Sequence, residues 1–478
     1  MSNEIWKLPA HYRVAEPELL FSPDRTGDRH VHPLRGLLQF GPYSRNFINR
    51  VFDPIRVATI FPHDFKRQLR GLFNELEQKH TPRERKDYLV DFPGFHSVFG
   101  VKVVPADAGL HIVLPDGIDT EVATSKQPHT VLARVITDAM SRLLPRRNEY
   151  DVILIVLPDR WENAFEDDEG FDLHDYIKAI NASRGIPTQF INETGALDYH
   201  CRASVMWRLS IALYCKAGGV PWKLADTDPA TAFIGLSYAL RFASDGTVRF
   251  ITCCSQVFDS DGAGLEFIAY ETNDARTEGP NPFLSRGEMR RVMARSLSLY
   301  QRRHAGRSPK RVTVHKTTEF KSEETEGCFD ALSAASDIDL YQIQQETSWS
   351  GVLFAPPRNK HQKSVAAMYP CERGTYMPLG EREVLLWTQG DAPEIAPGKH
   401  FFKEGKGIPH PITLKRFAGH GGWDFPVRSV LGLSKMNWNN DSLYDRLPIT
   451  LRYASELART IKNMPVISAR PYEVRLFM

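Results

Sequence analysis

The sequence predicts an α/β protein, a Rossmann-like domain followed by a ribonuclease-H-like domain, and three observations predict it. First, the runs "PIRVATIFP" (54–62), "YDVILIVLP" (150–158) and "GIPTQFI" (185–191) are apolar on both faces and separated by helical patterns such as "DFKRQLRGLFNELEQKH", which describes parallel strands covered on both sides. Second, "AFIGLSYALRFASDGTVRFITCCSQVFDSDGAGLEFIAY" is three strand-length runs joined by Asp-Gly and Gly-containing turns, an antiparallel meander. Third, helix and strand then alternate, from "SRGEMRRVMARSLSLYQRRH" through "RVTVHK" and "LYQIQQ" to a long last helix at "ITLRYASELARTIKN", the element order of a ribonuclease-H-like fold. These limits divide the chain into an N-terminal segment (1–50) that packs with the second domain, a first domain (51–225) and a second (226–478).

The bulk numbers fit a large packed core and exclude several functions. With 478 residues, 42% of them hydrophobic, the chain can bury two domains. Lys and Arg number 60 against 58 Asp and Glu, so no overall basic field announces nucleic acid and any polyanion site must be local. The basic runs "SLYQRRHAGRSPKR" and "PPRNKHQK" read as solvated loops. Six cysteines without a CxxC pair point to reduced thiols, a cytoplasmic setting and no zinc. No leader pattern and no membrane-spanning window occur, and the GxGxxG dinucleotide fingerprint is missing after each apolar strand.

The polar residues of the first domain form the candidate site. On the helix beginning at Leu173, Leu173, Ile177 and Ile180 make an apolar stripe while His174, Lys178 and Asn181 share a neighbouring face. Gln189 interrupts the next strand on the same face as Pro187 and Ile191, so a buried amide there needs a partner. The helix after it carries Val205, Leu209, Ala212 and Leu213 on its core side, and Lys216 extends that stripe just before Gly218 and Gly219. Taken singly, each has a plain reading: a solvated helix face, a satisfied core amide, and a lysine that snorkels and complements the helix C-terminus.

Spaced at intervals of four, eleven and twenty-seven, His174, Lys178, Gln189 and Lys216 together resemble the 5′-phosphate pocket of the MID domain in Argonaute and Piwi proteins. "GIPTQFI" and "KAGGVPWKL" look like that family around the Gln and the second Lys, "GLLQFGPY" resembles the segment before MID, and "LGLSKMNWNNDSLYDRLPITLRYASELA" resembles the end of a PIWI domain. The resemblance implies that two lysines, an amide and an imidazole give charge-assisted hydrogen bonds to a terminal phosphate monoester. By analogy with short Argonautes it also implies that the C-terminal carboxylate of Met478 shares Mg²⁺ with the guide phosphates, which suits that oxygen ligand set; a disordered terminus is the alternative.

In cleaving members of the family the first PIWI strand reads Gly-x-Asp, a later strand Arg-Asp-Gly, and the last helix places His or Asp after Tyr-Ala. Here those positions hold Ser237, Thr317 and Ser455, and neutral hydroxyls are poor ligands for the two metal ions that phosphodiester hydrolysis uses. The resemblance therefore implies a scaffold rather than an enzyme. It would hold a 5′-phosphorylated guide RNA and read complementary single-stranded DNA by base pairing. By family analogy it would activate a separately encoded APAZ-containing effector, a Sir2-like NADase (preferred on chain length) or a TIR one, for NAD depletion and defence against plasmids or phage. Lys435, Asn437 and Arg452 are candidate backbone-phosphate contacts, with structural roles as the alternative. A rival reading is a nuclease whose metals sit on relocated acids among Asp259, Asp261 and Glu319. A third keeps the MID fold as an interaction platform without a guide.

Overall fold

A computed structural model describes residues 10–166, 170–242, 248–259, 266–272, 274–278, 281–352, 354–355, 365–366, 371–396, 408–439, 443–464, 467 and 471–478. Its first domain is built on three parallel strands, Ile55–Phe61, Val152–Leu157 and Thr188–Asn192, hydrogen-bonded side by side in that order. They correspond to the three apolar runs of the sequence. Two short strands, Val103–Pro105 and His111–Val113, add to the free edge of Ile55–Phe61 one after the other. The central strand shows why such runs lack alternation. Val152, Leu154 and Val156 face the helices Lys66–Leu76 and Arg202–Lys216, while Ile153, Ile155 and Leu157 face Pro128–Leu143 and Leu173–Ser183. Both faces are covered, so both sets must be apolar.

The second domain carries a ten-stranded mixed sheet. The meander is there: Thr231–Phe242, Val248–Asp259 and Glu266–Thr272 run antiparallel. Arg311–Lys316 joins Thr231–Phe242 in parallel, and Asp337–Gln344 lies parallel beyond it. Helices Arg286–Arg303 and Ser322–Leu332 cover one face around Met289, Val292, Val314 and Leu340. Helix Ile449–Ile461 crosses the other face over the first two meander strands. The sequence reading left out several strands, among them Thr375–Pro378, Glu383–Leu386 and Ile412–Ala418 of the large sheet, and the helix Asp424–Leu433 that packs near them.

Both ends of the described chain are tied in. Tyr12–Arg13 pairs with Thr375–Pro378 at one edge of the large sheet, and Tyr472–Glu473 pairs with Glu266–Thr272 at the other. Leu19–Leu20 pairs with Arg29–His30 and with Lys223–Leu224, at the junction between the domains. The tail that follows Glu473 is apolar and buried. Val474, Leu476, Phe477 and Met478 belong to one continuous core with Val57 and Leu209 of the first domain and Phe267 and Tyr453 of the second. That placement brings the last two residues to the candidate site.

Candidate functional site

Helix Leu173–Ser183 starts where Asp172 caps it, its carboxylate accepting from the Asp175 backbone N–H at 2.9 Å. Beside its first turn lies a cleft of about 480 Å³, bounded by Gln189 to Asn192, by Gly195 and Ala196, by one stripe of helix Arg202–Lys216 and by Asn439 of the second domain. His174 stands on the wall with 47% of its side chain exposed, its ring 4.9 Å from that of Phe190. Burial of the inner edge, then the nearby Lys178 charge, lower its pKa, so the imidazole is neutral at pH 7. The Gln189 amide, half-buried in the same wall, donates to the Phe190 carbonyl at 2.9 Å.

The two lysines lie one storey deeper. Lys178 follows His174 by one helical turn, and Lys216 follows the cleft residue Ala212 by one turn, a step of roughly 5–6 Å. Lys178 is 5% exposed and Lys216 is 0% exposed. The Lys178 ammonium donates to the Phe477 carbonyl at 3.0 Å, and the Lys216 ammonium to the Met478 main-chain oxygen. Among the described residues, no carboxylate side chain forms an ion pair with either lysine. Burial pulls Lys178 down to about 8, against the weaker pull of Glu456 and Asp175. Burial also takes Lys216 well below the usual lysine range, and the adjacent Lys178 charge adds to that. The four residues are therefore brought together as two on the wall and two behind it, with the chain's last residues against the lysines.

The cleft also holds residues that the sequence reading missed. Arg208 lies one and two turns before Ala212 and Lys216 on the same helix stripe, a spacing visible in the sequence. Asn439 reaches the cleft only through the packing of the two domains. Ligand atoms of Asp172, His174 and Asp175 lie within 4.8 Å of one another, yet Asp172 already caps the helix and Asp175 faces Arg459 at 3.9 Å and His174 at 3.4 Å. Glu166 and Asp172 also line the cleft, so donors for a small oxyanion come from the His174 and Gln189 wall and from the two buried ammoniums behind it.

The backbone-contact candidates need correction. Lys435 is buried: its ammonium pairs with Glu16 at 2.8 Å and donates to the carbonyls of Pro17 and Val31, each at 2.6 Å. It clamps the N-terminal segment and does not reach a polyanion. Asn437 is buried too, donating to Asp445 at 2.7 Å and accepting from the Asn439 backbone N–H at 3.0 Å, so its amide is already satisfied within the fold. Arg452 is exposed and pairs with Glu456 at 2.8 Å.

Ser237 and Thr317 stand at the same end of adjacent parallel strands, since Leu236 is in register with Lys316. Ser455 lies on the exposed side of the helix crossing that sheet. Asp259 is six residues along its strand from Cys253, the partner of Ser237, a separation of about 20 Å, and its carboxylate meets His304 Nε2 at 2.7 Å. Glu319 pairs with Lys321. Asp261 and the basic run at 356–363 lie outside the described residues.

No family model matches the chain, and no curated protein does. Solved structures do. Clostridium butyricum Argonaute, bound to a guide DNA and a 19-mer target DNA, superposes with a TM-score of 0.65 at 14% identity, over 100% of this chain and 56% of that one. A. aeolicus Argonaute gives 0.58 at 16%, over 97% and 54%, and Drosophila Piwi 0.58 at 16%, over 98% and 55%. The chain spans about half the length of these structures. Identity this low is a likeness of fold, and the fold is specific: a parallel-sheet domain and a mixed-sheet domain joined through one core, the Argonaute-like arrangement of MID and ribonuclease-H-like PIWI domains.

Proposed function

We propose that the cleft receives the 5′-phosphorylated end of a guide RNA and that the chain presents this guide to complementary single-stranded DNA. The observation that carries the reading is the pair of neighbouring buried lysines, with no carboxylate side chain paired to either among the described residues, one turn behind a cleft walled by His174 and Gln189. Burying two ammoniums side by side is costly unless an anion compensates, so the arrangement favours a dianionic phosphate. Phe477 and Met478 shift or share the lysines when the phosphate enters. Their main-chain oxygens suit a hard divalent ion, and Mg²⁺ held between Met478 and the phosphate oxygens would offset their mutual repulsion.

The same reading makes the second domain a cradle without nuclease activity: Ser237 and Thr317 are neutral hydroxyls at the same end of adjacent strands, and Asp259 is remote from them and engaged by His304. The output then lies in a partner. The short-Argonaute resemblance favours an APAZ-containing Sir2-like or TIR effector that depletes NAD when target pairs with guide. The deciding experiment compares the affinity of the purified chain for otherwise identical 5′-phosphate and 5′-hydroxyl RNA strands, and identifies copurifying nucleic acid and polypeptide. A preference for the phosphate that Lys216→Met reduces is the expected result; equal affinity for both ends in the wild-type chain rejects the pocket.

A further inference from the structure

A second depression lies across one loop from the cleft. Lys79, His80, Arg83, Lys86 and Arg202 line a hollow of about 410 Å³, with no acidic side chain among its lining residues. Acids pair with two of these lining cations, and Glu84 is engaged away from the hollow. Glu84 accepts from the Tyr199 hydroxyl at 2.6 Å and faces His200 at 3.2 Å, and Asp91 pairs with Lys79 at 3.0 Å. Arg202 is paired with Glu75. Among the described residues, Arg83 and Lys86 have no side-chain partner, and both are exposed.

The loop that presents them is braced rather than loose. His80 and Phe92 exchange backbone hydrogen bonds at 2.8 and 2.9 Å, the Trp207 indole donates to the Val90 carbonyl at 3.0 Å, and His32 Nε2 donates to the Tyr88 carbonyl at 2.7 Å. Two exposed cations without a side-chain partner among the described residues are thus carried on a segment whose flanking backbone is braced. The wall between hollow and cleft is a single loop. Ala196 lines the cleft, and its carbonyl accepts from Arg202, which lines the hollow. Arg202 also opens the fifteen-residue helix Arg202–Lys216, whose positive end adds to the field there.

We propose that this hollow is a second nucleic-acid contact, in which Arg83 and Lys86 hold a backbone phosphodiester of the same strand whose end occupies the cleft. The proposal rests on the end-binding reading for the identity of the strand, but its chemistry is separate. A phosphodiester carries one charge and no free end, so this contact is indifferent to the 5′ group. An open, exposed pair of long side chains suits a passing backbone rather than an enclosed small molecule.

The test measures binding of single strands of equal length, ending in 5′ phosphate or 5′ hydroxyl, as a function of salt. It compares the full chain with its Arg83→Ala/Lys86→Ala and Arg83→Lys/Lys86→Arg variants. The alanine pair should weaken both strands equally, by about tenfold, and reduce the salt slope by about one to two, while the preference for phosphate keeps its wild-type value. The charge-conserving pair should bind as wild type. Wild-type affinity and slope in the alanine pair overturn the proposal, as does an equal loss in the charge-conserving pair. If wild-type protein is indifferent to the 5′ group while the alanine pair still loses affinity and slope, the hollow stands and the end-binding reading falls.

Discussion

The molecule buries cations in two places and treats them in opposite ways. Near the N-terminal segment, Arg373 and Lys435 close on Glu16 at 2.9 and 2.8 Å, all three side chains almost wholly enclosed. Burial alone would raise the Glu16 carboxyl, but Arg373 and Lys435 outweigh it and hold it below the usual carboxylate range. At the cleft, Lys178 and Lys216 are as deeply buried and, among the described residues, pair with no carboxylate side chain, donating instead to main-chain oxygens of Phe477 and Met478. A buried ion whose partner is a side chain of the fold is a clamp. A buried ion without one is a deficit that a ligand can fill. Burial by itself therefore does not separate structure from function; the group opposite the charge does.

The comparison can be broken most forcefully at Glu16. Glu16→Gln leaves Arg373 and Lys435 buried without their counter-charge and should cost roughly 3–5 kcal/mol in urea unfolding. Lys216→Met should be neutral or stabilise by up to about 2 kcal/mol, since it removes a buried charge beside another. Equal destabilisation by the two substitutions would erase the distinction. Lys178→Ala and Lys216→Met should each weaken binding of 5′-phosphorylated strands by about 1.5–3 kcal/mol and leave hydroxyl-ended strands nearly unchanged.

Two pH dependences sharpen it further. Burial holds His32 and His315 at about 3 in the folded chain, far below a free imidazole. Below about pH 6.5 the unfolded chain therefore binds protons that the folded chain refuses, and stability falls as pH drops from there towards 3. Unfolding midpoints at pH 7 and pH 5 should show this, and a flat profile would deny it. The smallest effect is at the cleft. A phosphate favours charged Lys178, whose pKa is about 8, so affinity for phosphorylated ends should decline as pH rises through 8 while that of hydroxyl ends stays level.

Much of this was legible one residue at a time. The apolar runs at 54–62 and 150–158 named their strands because sheets covered on both sides demand them, and of the four residues singled out by resemblance, His174 and Gln189 line the cleft while Lys178 and Lys216 lie behind it. Val103–Pro105 and His111–Val113 were missed because three residues carry no periodicity. Lys435 was misread because a lysine in a polar-looking segment gives no sign of the acid it will meet. The loop holding Arg83 and Lys86 looked like any charged surface, since a tally of charges does not tell which acids turn away.

The sequence by itself determined the long apolar strands and amphipathic helices and the faces they must bury, because those follow from periodicities of a few residues. Only the tertiary structure decided which buried cations are satisfied. Glu16 lies 357 positions from Arg373, and Phe477 lies 299 from Lys178. Contacts at such separations arise from how the two domains close on one core, and no local pattern encodes them.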